Sequence, residues 1–429
     1  MDAPSHLPKM FETEGGLAPE SPANLAATGI SRAVLTDMVL KTAHGVSQIT
    51  TEAAAVRLHL PQAVVGEILE HLRTENLLET LGHDGPFGYR YSITQRGRER
   101  AERLLELSGY VGPAPVSLES YRAMLEWQMA KADRVTEAQV EEALSGLVLP
   151  TEVKQVAGLA ASSGRSLFLS GPAGNGKTSL GRQLHKAMRG DIWIPHCIAV
   201  ENNIIRLFDP HCHQTVEHAS KKLQTIDKRW VKIKRPFIVA GGEMTLESLD
   251  MAYLPALRYY EAPLHMKANG GTFLIDDFGR QHVEPEQLLN RWIIPLEHRV
   301  DFLTLHNGQK IEVPFLLMLI IATNLNPSDV TDPAFLRRLG YRTRLSAPTP
   351  ELYGAIFEQY AKTGGLTVDE ALIRHLLNRY QSTGKELRAC EPRDLIERVK
   401  DICAHRQQKL GLSEELLDLA WSGYFGSEA

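Results

Sequence analysis

Residues 166–179 read S-L-F-L-S-G-P-A-G-N-G-K-T-S. The first five are a short apolar run of the kind that forms a buried strand. Gly171, Gly174 and Gly176 then make a loop free of bulky side chains, and Lys177, Thr178 and the following S-L-G-R-Q-L-H-K-A-M open a helix. The pattern G-x-x-x-x-G-K-[ST] is met by Gly171, Gly176, Lys177 and Thr178. Its spacing has a physical reason. Glycines let backbone N–H groups point inward and close on phosphates, and the helix N-terminus adds the positive end of a dipole. Gly171, Pro172, Ala173, Gly174, Asn175, Gly176, Lys177, Thr178 and Ser179 are therefore the expected phosphate cradle. Lys177 reaches the β- and γ-phosphates, and Thr178 offers its hydroxyl to Mg²⁺.

The bulk properties bound the rest. The chain has 429 residues, enough for two or three domains with a real core. Its formal net charge of −5 gives no reason to expect nucleic acid or an acidic membrane as a partner. Cys197, Cys212, Cys390 and Cys403 are scattered without a C-x-x-C pair, which suits a reducing cytosol. The N-terminus carries acidic residues and no apolar core, unlike a signal peptide. The longest apolar run, residues 315–322, is too short to span a bilayer. These features predict a soluble, cytoplasmic protein.

Residues 1–27 are rich in Pro, Gly, Glu and Ala without periodicity and read as a disordered arm. From Ile30 the pattern turns helical. Ser31 is placed to cap a helix to Ala43, Thr50 or Thr51 a second to Leu58, and a third follows Leu60-Pro61 over 62–76. Two short strands around an Asp84-Gly85-Pro86 turn come next, then the helix R-G-R-E-R-A-E-R-L-L-E. Three helices and a β-wing over 28–108 resemble a winged helix-turn-helix domain. That domain type suggests DNA, but residues 31–108 hold nine Lys/Arg against ten Asp/Glu. The third helix carries Glu67 and Glu70 against Arg73, a poor surface for phosphates. Protein docking or oligomerisation is favoured over a DNA reader. Residues 109–120 read as a Pro/Gly linker.

Beyond the linker, helices are expected over 121–132 and 137–147, with Thr151 capping a third that leads into the loop. Residues 192–200 read as a second buried strand. The stretch 201–270 is long for one crossover and predicts an insertion, in which W-V-K-I-K-R-P-F-I-V-A alternates like a ribbon. His211, Cys212, His213 and His218 cluster in sequence, but no distant Cys/His pair completes four zinc ligands, so a polar loop is expected. G-G-T-F-L-I-D-D, residues 270–277, is a strand ending in two carboxylates. Asp276 is placed to complete a Mg²⁺ site with Thr178, and Asp277 to polarise a water. A hairpin around Asn307-Gly308 follows, then an apolar strand ending at Asn324. Arg337 and Arg338 are adjacent, residues from Thr349 onward are mostly helical, and Arg393 starts a helix.

In this order the pieces resemble the AAA+ ATPases over about residues 130–405. The fold the resemblance implies is α/β: a P-loop NTPase parallel-sheet core over 121–348, with an insertion near 201–270. An α-helical lid over 349–429 follows it. The resemblance makes Asp276 the Walker B carboxylate, Asn324 sensor 1, Arg337 or Arg338 the arginine finger, and Arg393 sensor 2. The hairpin before Asn324 is similar to the MoxR and magnesium-chelatase group and to bacterial enhancer-binding activators. The G-A-F-T-G-A loop of the latter is not in the sequence. The family usually has Glu after the Walker B Asp; Asp277 is a methylene shorter, which leaves slow hydrolysis or a nucleotide-gated switch open as readings. ATP and Mg²⁺ are the implied cofactors, and a homo-oligomer, hexameric by resemblance, the implied assembly. The expected function is ATP hydrolysis that remodels or assembles a protein client. The alternatives are a DNA-associated ATPase or transcriptional regulator, and a nucleotide-gated scaffold that barely hydrolyses.

Overall fold

The structure, a computed structural model, describes residues 6–84, 88–217, 225–326 and 337–426. Strands β1 (Met10–Thr13) and β2 (Gly16–Pro19) form an antiparallel hairpin where a disordered arm is expected. The hairpin is held from far along the chain. Trp193 Nε1 donates to Leu17 O at 3.0 Å, the Asp227 and Ser21 amides bond Pro19 O and Thr225 O, and Ala18 is fully buried. The partners that order these residues are some 200 positions away, so local composition does not show them.

Helices α1 (Arg32–His44), α2 (Thr51–Leu58) and α3 (Gln62–Thr74) follow, with Ser31 and Thr50 capping the first two. Strands β3 (Ile49–Thr50), β4 (Leu78–Asp84) and β5 (Gly88–Ile93) form a small sheet in the order β3-β5-β4, and α4 (Gln95–Leu107) closes on α1. Gly85 and Pro86 of the expected turn lie outside the described residues. The stretch expected as a linker is not free. Tyr110 and Ala114 are buried in the core of α1–α3, and β6 (Val116–Ser117) leads directly into α5 (Leu118–Lys131).

Then come α6 (Glu137–Leu144), α7 (Thr151–Ser163), β7 (Leu167–Ser170) and α8 (Lys177–Lys186). Pro150, not Thr151, occupies the cap position of α7 and makes no side-chain cap bond. The expected single strand over 192–200 is two strands. β8 (Asp191–Pro195) and β9 (Cys197–Val200) separate at His196, whose carbonyl accepts from the Leu207 and Phe208 amides. β9 pairs with β10 (Asn203–Arg206), whereas β8 pairs with β11 (Trp230–Lys234). The expected ribbon likewise breaks at Arg235-Pro236, because proline has no N–H for the ladder. Its second half, β12 (Phe237–Ala240), joins the parallel sheet. Strands β13 (Ala252–Leu254) and β14 (Tyr259–Glu261) complete a second sheet in the order β13-β14-β10-β9-β6.

The short helix α9 (Leu264–Lys267) precedes β15 (Thr272–Ile275), α10 (Pro285–His298) and the hairpin of β16 (Val300–Thr304) and β17 (Lys310–Pro314). β18 (Met318–Thr323) and β19 (Tyr341–Arg344) complete the parallel sheet, ordered β12-β15-β18-β7-β19. Its side chains alternate between two cores: Phe168, Phe273 and Leu319 on the α10 side, and Leu167, Leu274 and Ile320 on the side of α6–α8. The mixed α/β fold with a parallel sheet is thus present. Helices α11 (Pro350–Thr363), α12 (Glu370–Thr383), α13 (Glu391–His405) and α14 (Glu414–Phe425) form a bundle around Tyr353, Tyr380 and Trp421.

One buried ion pair ties the N-terminal third to the rest. Arg229 and Asp227 are 4% and 1% exposed and pair at 2.8 Å. Arg229 Nη1 also donates to Thr28 O and Pro115 O, at 2.7 and 3.2 Å. Asp227→Ala would leave a buried guanidinium without its counter-charge, which costs about 3–5 kcal/mol. Urea unfolding is expected to show that loss, and a change under 1 kcal/mol, the range of a surface pair, would refute the role.

Candidate functional site

Strands β15, β18 and β7 are adjacent and parallel, with Ile275 level with Ile321 and Thr323 level with Ser170. The polar residues that follow them therefore meet at one edge of the sheet, where α/β folds bind ligands. Gly171 has φ +135° and its Cα faces Leu345 O so closely that a Cβ would lie 2.1 Å away. Gly174 has φ +80° and a Cβ there would lie 2.7 Å from Cys390 Sγ. Neither position has room for a side chain.

Lys177 is 7% exposed. Its ammonium donates to Gly171 O at 2.7 Å, Pro172 O at 2.9 Å and Asn324 Oδ1 at 2.6 Å. Burial pulls its pKa below the usual lysine value, against the pull of Asp277 and Asp276. The Asn324 amide then donates to Asp277 Oδ1 at 3.0 Å. Asp277 sits in the left-handed region at φ +48°, and its amide bonds Asp276 Oδ1 at 3.0 Å. Thr178 Oγ1 donates to Asp276 Oδ2 at 2.8 Å. That hydroxyl and carboxylate are hard oxygen donors, which suit Mg²⁺.

These groups line a cavity of about 570 Å³ with residues 146–149 and, from α11, Ile356 and Tyr360. The helical bundle closes onto the loop through two of its main-chain amides. The Cys390 amide donates to Gly174 O at 2.9 Å and the Ala389 amide to Asn175 Oδ1 at 3.1 Å. Asn175 is 4% exposed, and its Nδ2 has no hydrogen-bond partner among the described residues. A buried donor left open in a loop of this shape fits an anionic ligand.

Among the expected site residues, the structure brings together the loop, Lys177, Thr178, Asp276, Asp277, Asn324 and Arg393. Arg393 lines the cavity from the first turn of α13, yet its guanidinium is held by the neighbouring Asp394 at 2.8 Å. Arg337 and Arg338 are elsewhere. They precede β19, so they lie at the start of β7 rather than its end. They line a second cavity of about 380 Å³ with Arg165 and Arg299, where Arg338 pairs with Glu297 at 2.5 Å. Sequence reading missed Arg280. It lines the first cavity, three residues beyond Asp277, and its guanidinium makes no ion pair among the described residues. The phrase I-D-D-F-G-R follows no pattern that singles it out.

In the His/Cys cluster, His213 is buried and both ring nitrogens are engaged, by the Asp209 amide and Lys267 O. His218 lies outside the described residues. No group of three or more His, Cys, Asp or Glu among the described residues is placed to hold a metal ion. No helix among them is long and apolar enough to cross a membrane.

A family model described as "Domain of unknown function (DUF8689)" matches residues 349–423, the helical bundle. No curated protein matches the chain. Among solved structures, the chain is similar to RuvB from Thermotoga maritima, described as a Holliday junction branch migration motor. The TM-score is 0.35 and identity 15%, over 69% of this chain and 73% of that one. NtrX from Brucella abortus in complex with ADP is similar at TM-score 0.37 and 14% identity, over 72% of this chain and 61% of that one. For NtrX in complex with ATP the TM-score is 0.37 and the identity 14%, over 92% of this chain and 74% of that one. Likeness at these levels carries no argument about activity, so function rests on the site's own geometry.

Proposed function

We propose that the chain is an AAA+ ATPase that binds and hydrolyses ATP with Mg²⁺. The observation that carries this reading is Asn324, whose single amide links Lys177 at 2.6 Å to Asp277 at 3.0 Å. One planar group thereby couples the phosphate-binding cation to the carboxylate that would orient the attacking water. The three Lys177 bonds to Gly171 O, Pro172 O and Asn324 Oδ1 occupy all three ammonium protons. Phosphate oxygens would replace the two carbonyl acceptors. Thr178 and Asp276 would hold magnesium, which neutralises charge shared by the β- and γ-phosphates. Beside Lys177 and the Asp394-bound Arg393, Arg280 adds a further cation to the same cavity from the same subunit.

Arg337 and Arg338 lie at the opposite end of β7 from their own loop and cannot serve it. We assign them to the neighbouring subunit's nucleotide in a ring, as the resemblance implies. The work driven by hydrolysis is assigned to a protein client rather than duplex DNA. On α3, Glu70 is held by Arg73, and Glu67 pairs with Arg32, so the basic groups there are already engaged. Three helices with a three-stranded sheet make the winged-helix reading of this unit. The four free cysteines suit a reducing compartment such as the cytoplasm.

Lys177→Ala is expected to lose nucleotide binding. Asp277→Asn should keep binding and lose turnover by about 10²-fold or more, the scale of one lost transition-state contact. A phosphate-release assay and ATP titration check both, and unchanged turnover in folded Lys177→Ala would sink the reading. The Asp277→Asn chain with ATP is also the bait for a client, and salt-sensitive duplex binding by that chain would instead favour the DNA alternative.

Arg280→Ala is expected to weaken ATP by about tenfold or more while leaving ADP within about twofold, because the lost cation meets the third phosphate. Equal losses for the two nucleotides would remove Arg280 from that role.

Mixing Lys177→Ala with the double variant Arg337→Ala, Arg338→Ala is expected to restore part of the turnover, through sites composed of one intact loop and the other subunit's arginines. Such a finger is worth about 10³–10⁵ in rate in other phosphate-loop enzymes. Mixed oligomers that stay inactive at every ratio would exclude action between subunits.

A further inference from the structure

A cavity of about 890 Å³, larger than the nucleotide site, lies apart from it. It lies at the other end of the parallel sheet. Its walls include Gly164 before β7, Arg235 before β12, Gly270 and Gly271 before β15, and Leu317 before β18. The strands that end in the phosphate loop, Asp276 and Asn324 all begin here.

The cavity is basic. Among its acidic groups, Asp191 faces Lys232 at 3.5 Å, which leaves Asp133. Against it stand Lys131, Arg134, Arg235 and Arg299, none of which has a carboxylate partner among the described residues. Arg235 donates to Gly270 O at 2.5 Å and Arg189 O at 3.0 Å. Arg299 reaches only Gly164 O, at 3.4 Å, and Lys131 sits 4.7 Å over the Trp127 ring. Carbonyl and ring contacts orient a cation without cancelling its charge. Burial opposes the charge on Arg235, and Asp191, already facing Lys232, offsets only part of that cost. A concave wall of one sign concentrates the opposite ion.

We propose that this cavity is a binding site for an oligophosphate group. Guanidinium matches phosphate oxygens in shape, and cations spread around one cavity fit charges spread along one ligand. The volume is in the range of small-molecule sites, about 300–1,000 Å³. The group has two sources, inorganic oligophosphate or the phosphates of a nucleotide. The site does not depend on the nucleotide reading, because Lys177 lies at the far end of the sheet.

The test is isothermal titration of the Lys177→Ala chain with inorganic tripolyphosphate, and separately with ADP. One saturable site per chain is expected for at least one of them. Binding to tripolyphosphate alone identifies the inorganic source, and tighter ADP identifies the nucleotide. Arg134→Gln with Arg299→Gln, both exposed positions, should weaken that binding about tenfold or more, while Arg96→Gln with Arg98→Gln on α4 should leave it unchanged. If Lys177→Ala does not fold, the parent chain should show two tripolyphosphate sites and the Arg134, Arg299 variant one. Absence of saturable binding, or equal loss in the α4 control, overturns the proposal.

Discussion

Every residue of β7, β15 and β18 is buried. That constraint governs the molecule. A strand covered on both faces has no place for a charged side chain along its length, since an unpaired buried charge costs several kcal/mol. Polar groups are therefore pushed to the strand ends. Because the three strands are parallel and in register, their ends fall side by side. The loop glycines, Asp276, Asp277 and Asn324 meet there without any need for long side chains. The same rule places arginines and glycines together at the opposite edge, where the strands begin.

What was legible in the sequence was what repeats at short range. The loop, the strand ending in Asp276 and Asp277, the strand ending at Asn324 and the Asn307-Gly308 hairpin each carry their signal within about a dozen residues. The second sheet carries none. Its β6 is two residues long and pairs with β9 some eighty positions later. The N-terminal hairpin is held by Trp193 and Asp227 in the same way. Such strands are defined by partners, and no local periodicity announces them. The break at His196 went unread because the apolar run continues through it, although the chain changes sheets there. Arg280 was missed for a different reason. A single arginine in a turn looks like any surface charge until the cavity wall is known.

The helical bundle meets the glycine loop through two of its own main-chain amides. Cys390 bonds Gly174, and Ala389 bonds Asn175. Two hydrogen bonds of this kind contribute about 1 kcal/mol each in net terms. The bundle has its own core around Tyr380 and Trp421, so it keeps its shape when those bonds open. The loop residue with the open donor, Asn175, is also the one that accepts from the bundle. A ligand seated on the loop thus bears directly on the contact that positions α13.

Arg229 has a mechanical consequence. By joining Thr28, Pro115 and Asp227, it stitches the entry and exit of the N-terminal module to the same point, the turn that leads into β11. A module on a slack tether would move independently of the strands it is tied to. Clamped at both ends, it behaves as a stiff arm. A tilt at that turn would be felt at both ends of the α1–α4 module at once, and the displacement at its far side would grow with the length of the arm.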